Sequence, residues 1–109
     1  IFELCDVISV HTPLTEKTEN LINRSNIPML KDGVIVINTA RGGIVNEADV
    51  LDALRVSKIG GLGIDAYVQE PPVSYDLISL KNVICTPHIG GNSREAVRAM
   101  GIAAIQNLL

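Results

Sequence analysis

A doubly wound α/β sheet is the fold class that this sequence predicts, on three observations. Four short apolar runs recur along the chain, Val7 to Val10, Val34 to Ile37, Leu62 to Ile64 and Val83 to Cys85. They are β-branched and continuous rather than alternating, as expected of strands covered on both faces of a parallel sheet. The segments between them have helical character, so the order reads β-α-β-α.

Taken in order, the first run is followed by His11-Thr12-Pro13. The second is followed by Asn38 and leads through Arg41-Gly42-Gly43 to Asn46, which can cap a helix from Glu47 to about Val56. In that helix Val50, Leu51 and Leu54 form an apolar stripe, while Glu47 and Asp49 sit favourably at the positive end of the helix dipole. Gly60 and Gly61 are expected to end the connection before the third strand. Beyond that strand, Glu70-Pro71-Pro72 forbids helix, because proline fixes its own φ and drives the preceding residue out of the α region. After the fourth strand, Asn92 can cap a helix running to the chain end, with Glu95 placed for a capping box. That helix would carry Val97, Met100, Ala104 and Leu108 on one face.

Composition narrows the class. A chain of 109 residues, 47% of them apolar, has the length of one domain, and such a domain buries roughly 60 to 68% of its unfolded surface. No repeat, low-complexity tract or linker divides it. The net charge is −3 and the nine Lys and Arg residues are scattered, so the basic footprint of a nucleic-acid binder is missing. Phe2, Tyr67 and Tyr75 are the whole aromatic complement, which leaves no stacking platform for bases. Cys5 and Cys85 stand far apart beside apolar runs and read as buried free thiols, favouring a reducing, cytoplasmic setting over a disulfide or metal framework. No apolar stretch reaches the ~20 residues that span a bilayer. Ile1 to Cys5 does not read as a signal peptide, since Glu3 interrupts it and no basic start precedes it. Asn23-Arg24-Ser25 matches a glycosylation sequon, a pattern short enough to arise by accident.

In open α/β sheets ligands bind outside the carboxyl ends of the strands. The residues just past each run are His11-Thr12-Pro13, Asn38 to Gly43, Asp65 with Glu70 in the same loop, and Thr86 to Gly91. One arginine, two carboxylates and two histidines therefore converge on one rim. The guanidinium of Arg41 can hold a carboxylate or phosphate by two parallel hydrogen bonds, or else be a turn arginine paired with Glu47 or left in solvent. Gly42 and Gly43 permit close backbone approach or positive φ beside it. His88 is the natural proton carrier, with Glu70 the candidate carboxylate to favour its charged form; otherwise it is a satisfied loop histidine. His11 reads as structural or cofactor-lining. Asp65 is placed to accept from a ligand amide or to cap loop amides. Gly90-Gly91, before a helix, could present amides to an anion. Neither a G-x-G-x-x-G nor a Walker pattern occurs.

Four stretches in this order, Val10-His11-Thr12-Pro13-Leu14-Thr15, Ile37 to Gly43, Gly63-Ile64-Asp65-Ala66-Tyr67 through Glu70-Pro71, and Thr86 to Gly91, together resemble the D-2-hydroxyacid dehydrogenase family, which includes phosphoglycerate dehydrogenase. The resemblance spans essentially the whole chain. It implies a Rossmann-type sheet present as a partial domain, residues 1–109 forming the C-terminal part of an NAD-binding domain. The family's Gly-rich turn and the main part of its substrate domain find no counterpart here. It further implies catalytic roles for Arg41 (orienting substrate), His88 (general acid/base) and Glu70 (polarising His88). A cofactor lining is implied for His11, Thr12, Pro13, Thr39, Ala40, Arg41, Asp65, His88, Gly90 and Gly91. The partners so implied are NAD and a small 2-hydroxy or 2-oxo acid, with no nucleic acid, membrane or metal. The intact protein is expected to be a homodimer or larger homo-oligomer, and an unpaired sheet edge in this piece would favour self-association. A nicotinamide-dinucleotide-sensing regulator, corepressor-like and of the same fold, is the alternative role.

Overall fold

The computed structural model describes residues 2–108; Ile1 and Leu109, each touched by an expectation above, lie outside them. Four strands, β1 (Val7–Val10), β2 (Val34–Asn38), β3 (Ile59–Ile64) and β4 (Val83–Cys85), form one sheet in the order β1-β2-β3-β4. Every neighbouring pair is parallel. Two helices are α1 (Glu47–Arg55), between β2 and β3, and α2 (Arg94–Gln106), after β4. The α/β class and the parallel sheet are those expected from the sequence.

Register decides what the sheet presents. Val10 pairs with Asn38, Asn38 with Ile64 and Ile64 with Cys85, so the last residues of all four strands fall in one row. Because all strands run the same way, the next residues, His11, Thr39, Asp65 and Thr86, begin the four loops of one rim.

The core lies on one side of the sheet. Val34 and Val36 of β2, with Ile59, Leu62 and Ile64 of β3, are buried against Val50, Ala53 and Leu54 of α1 and against Ile22, Ile27 and Leu30 of the β1–β2 connection. Asn46 caps α1 as expected, its Oδ1 accepting from the Asp49 amide at 3.0 Å. The opposite face differs from the two-sided coverage that the apolar runs suggested. Along β2 the burial alternates, and Ile35, like Val7 of β1 and Ile84 of β4, is exposed. Among the described residues no element packs there, so only one row of each strand is covered.

Three local expectations are corrected. The β1–β2 connection holds no α-helix among the described residues, only turns and a 3₁₀ turn, Ile27–Met29. Asn side chains compete with helical bonding there: Asn23 Oδ1 accepts from the Ser25 amide, Asn26 Oδ1 accepts from the Asn23 amide, and Asn20 has φ 50°. Between β3 and β4, by contrast, the loop expected from Glu70-Pro71-Pro72 is present, with turns alone. Gly60 and Gly61 do not precede the third strand but lie inside it. A Cβ on Gly60 would sit 2.5 Å from the Gly33 carbonyl oxygen, so only glycine lets the strand pass that turn. Finally, α2 is capped by Ser93 rather than Asn92, with Ser93 Oγ accepting from the Ala96 amide at 3.1 Å. This puts Glu95 one position early for a capping box, and the helix stops at Gln106. No residue of α2 is buried. The thiols of Cys5 and Cys85 are half-buried rather than fully enclosed.

One ion pair fastens the β1–β2 connection to α1. Asp49, buried, accepts from Arg24 through its backbone amide (2.9 Å) and Nε (2.8 Å), with Nη2 at 2.7 Å. The backbone hydrogen bond from Arg24, followed by its guanidinium, holds the Asp49 carboxyl below its usual range, with burial opposing. A carboxyl whose folded pKa is depressed stabilises above its unfolded value, about 4, and loses that contribution as pH falls through the folded one. Asp49→Asn in the full-length protein is therefore expected to lower stability at neutral pH and to flatten its decline below about pH 4. Urea unfolding between neutral and acid pH measures this, and an acid limb as steep as the parent's would remove Asp49 from the account.

Candidate active site

The Arg41 turn is built by a buried amide. Asn38, 1% exposed, closes β2. Its Oδ1 accepts from the Ala40 amide at 3.1 Å and its Nδ2 donates to the Arg41 carbonyl at 2.9 Å. Both ends of the turn thus hang on one side chain, a role that no local pattern around Asn38 signals. Gly43 has φ 84°, whereas Gly42 is needed for close approach, since a Cβ there would lie 1.9 Å from the Tyr67 carbonyl oxygen. The two glycines thereby realise the two alternatives of close approach and positive φ, one each.

Arg41 itself is exposed, and Nη1 donates to the Ala40 carbonyl at 2.6 Å. The expected alternative of pairing with Glu47 does not occur, because Glu47 Oε1 accepts from the Val68 amide at 2.7 Å. With His11, Thr12, Pro13, Leu14 and Ala40, Arg41 lines a hollow of about 460 Å³ between the β1 and β2 loops. His11 Nε2 stands 2.7 Å from Ser9 Oγ at its edge. Thr39 is exposed on the same rim.

A second group gathers past β3 and β4. His88 Nδ1 lies 2.8 and 3.0 Å from the two oxygens of Glu70. Glu70 Oε1 also accepts from the Tyr67 amide at 3.0 Å. That amide bond first, and the His88 contact second, keep the Glu70 carboxyl below its ordinary range. An ionised carboxylate only accepts, so Nδ1 carries the proton toward Glu70, and Nε2 is the nitrogen left to exchange one with a ligand. Both side chains are partly open, 33% and 42% exposed. The Glu70–Pro71 peptide is cis.

The backbone of His88 sits at φ 54°, in the left-handed region. For a residue with a Cβ that conformation costs on the order of 1–3 kcal/mol and persists only where neighbours enforce it. Asp65 Oδ1 is such a neighbour, accepting from the His88 amide at 3.0 Å and from the Thr86 hydroxyl. The Thr86 hydroxyl above all, then the His88 amide, lower the Asp65 pKa against burial. The Tyr67 hydroxyl donates to the Thr86 carbonyl at 3.0 Å; burial first, with Cys85 beside it, pushes its pKa up to about 12, so it stays a donor. Gly90 and Gly91 form an exposed turn, closed by the Asn92 amide on the Ile89 carbonyl at 2.9 Å.

The structure therefore assembles the sequence-derived residues into two adjoining sets, Arg41 with His11 to Pro13 and Ala40, and His88 with Glu70 and Asp65. Asn38, Tyr67 and Thr86 join them without having been singled out. Among the described residues no cluster of His, Cys, Asp or Glu could hold a metal ion, and no helix is long and apolar enough to cross a membrane.

Residues 1–90 match the family of D-isomer specific 2-hydroxyacid dehydrogenase, NAD binding domain. The hydroxypyruvate reductase of Thermotoga maritima is 42% identical over 111 aligned positions, covering 99% of this chain and 36% of that protein. The D-3-phosphoglycerate dehydrogenase of Bacillus subtilis is 45% identical, covering 88% of this chain and 18% of that protein. Among solved structures, the D-lactate dehydrogenase of Aquifex aeolicus, complexed with NAD and lactic acid, superposes with a TM-score of 0.87 at 30% identity, over 98% of this chain and 37% of that one. The chain thus spans little more than a third, or less, of the relatives it matches.

Proposed function

This chain belongs to the D-isomer-specific 2-hydroxyacid dehydrogenases, as a partial Rossmann-like NAD-binding domain, and from that premise we propose that the whole protein interconverts a D-2-hydroxy acid and its 2-oxo acid. D-3-phosphoglycerate is the substrate we propose first. The observation that carries the reading is the His88–Glu70 pair at 2.8 Å on the same rim as an arginine without a carboxylate partner among the described residues. A proton carrier and an anion grip are what the chain must bring to reduction of a 2-oxo acid.

The donor set suits a nicotinamide. Thr12, Thr39 and Asp65 lie at the start of the loops past β1, β2 and β3 on one rim, and Pro13 and Ala40 add apolar surface to the hollow beside Arg41. We assign these residues, with His11, Arg41, His88, Gly90 and Gly91, to the cofactor's lining. When bound, the nicotinamide supplies or takes the hydride. Arg41 clamps the substrate carboxylate and polarises the neighbouring carbonyl. His88 Nε2 gives a proton to the carbonyl oxygen in reduction and takes it back in oxidation, while Glu70 fixes the ring and balances its charge.

Arg41→Lys in the full-length protein tests the grip. Lysine keeps the charge but loses the fork, so kcat/KM for 2-oxo acids is expected to fall by about 10² or more. Steady-state kinetics with NADH across 3-phosphohydroxypyruvate, hydroxypyruvate and glyoxylate would show it. Parental kinetics in the variant would return Arg41 to a surface role. Tight dinucleotide binding by the parent without turnover of any of these acids would favour the sensing role instead.

A further inference from the structure

We propose that Thr86 is a positioning residue for His88, acting through Asp65; the consequence for turnover rests on the reading of His88 as the proton carrier. Thr86 and His88 flank Pro87, which has no amide proton. One oxygen, Asp65 Oδ1, accepts from the hydroxyl on one side of that proline and from the amide on the other, the latter at 3.0 Å. The clasp spans the point where the backbone enters the left-handed region at φ 54°.

Register makes this possible. Asp65 follows Ile64 and Thr86 follows Cys85, and Ile64 pairs with Cys85, so the two side chains stand level on adjacent parallel strands. The Thr86 amide extends the ladder by donating to the Ile64 carbonyl at 3.0 Å, and the Thr86 carbonyl takes the Tyr67 hydroxyl at 3.0 Å. Thr86 is thus fixed at both backbone groups, and its hydroxyl has a defined direction from which to hold Asp65. Asp65 in turn sets the His88 amide, and Glu70 sets the His88 ring. Without the hydroxyl, the carboxylate is free to rotate away and the His88 backbone loses its anchor.

Thr86→Val, nearly isosteric, and Thr86→Ser, which keeps the hydroxyl, separate this role from bulk. In the full-length protein Thr86→Val is expected to lower kcat by about ten- to a hundredfold with KM little changed, and Thr86→Ser to restore most of it. Amide hydrogen exchange at His88, followed by mass spectrometry, is expected to quicken about tenfold or more in Thr86→Val and to stay parental in Thr86→Ser. Unchanged exchange in Thr86→Val, or a serine variant as impaired as the valine one, overturns the proposal. Should the parent turn over no 2-oxo acid while the exchange pattern appears as expected, the clasp stands and the enzymatic reading falls.

Discussion

His88→Asn in the full-length protein is expected to reduce turnover by about 10² to 10⁴, the range that a positioned acid/base supplies. Asparagine is the informative replacement because it tolerates the left-handed backbone that His88 adopts at φ 54°. Alanine would confound loss of the ring with loss of that conformation. Asparagine cannot exchange a proton near neutrality, so the pH dependence of kcat/KM should lose the limb that His88 contributes. Cofactor affinity, measured by fluorescence titration, is expected to change far less than turnover, since His88 is one of many residues in the cofactor's lining but the one that moves the proton in the transition state. A variant with parental turnover, or one whose pH profile is unaltered, would return His88 to an ordinary loop histidine.

Gly42→Ala should be the more damaging of two glycine replacements. The new Cβ would lie 1.9 Å from the Tyr67 carbonyl oxygen, 2.1 Å from its carbon and 2.5 Å from the Val68 nitrogen, all backbone atoms. Nothing there can rotate aside, so either the Arg41 turn or the loop from Asp65 to Glu70 must move. A shift near 1 Å of a catalytic group costs on the order of 10² in rate, and forced overpacking costs about 1–3 kcal/mol. Gly61→Ala is the control, for its Cβ would meet the Asn82 carbonyl oxygen at 3.5 Å, an ordinary contact. Thermal unfolding and turnover of the two variants side by side should separate them clearly. Equal behaviour would mean that the approach of the two loops is not held in solution.

Much of this site is legible in the sequence, because strand ends are readable from where β-branched runs stop. Runs ending at Val10, Ile37, Ile64 and Cys85 place His11, Arg41, Asp65 and His88 on one rim, and parallel pairing puts them there. Asn46 was legible as a cap because the capping bond is local, from Asn46 to Asp49. What stayed hidden depends on contacts distant in sequence. Asn38 is one more polar residue after an apolar run until its burial is known. The need for glycine at position 42 comes from a loop 25 residues further on, and that at position 60 from Gly33. Strand lengths failed for a similar reason: Gly60 and Gly61 read as breakers, yet pairing with β2 carries the strand through them. The bare face is not legible, because continuous apolar runs say that both rows are oily, not that both are covered.

The left-handed turn at His88, its carboxylate Glu70 and its amide anchor Asp65 all come from two consecutive strands and the loops that follow them. Their separations along the chain are 18 and 23 residues, so the entropy of closing these loops is modest and grows only slowly with length. The contacts that fix His88 therefore close within one short stretch of chain, residues 65–88. Under the proposed function, variation outside this stretch can retune which acid is bound while the His88–Glu70–Asp65 arrangement is kept.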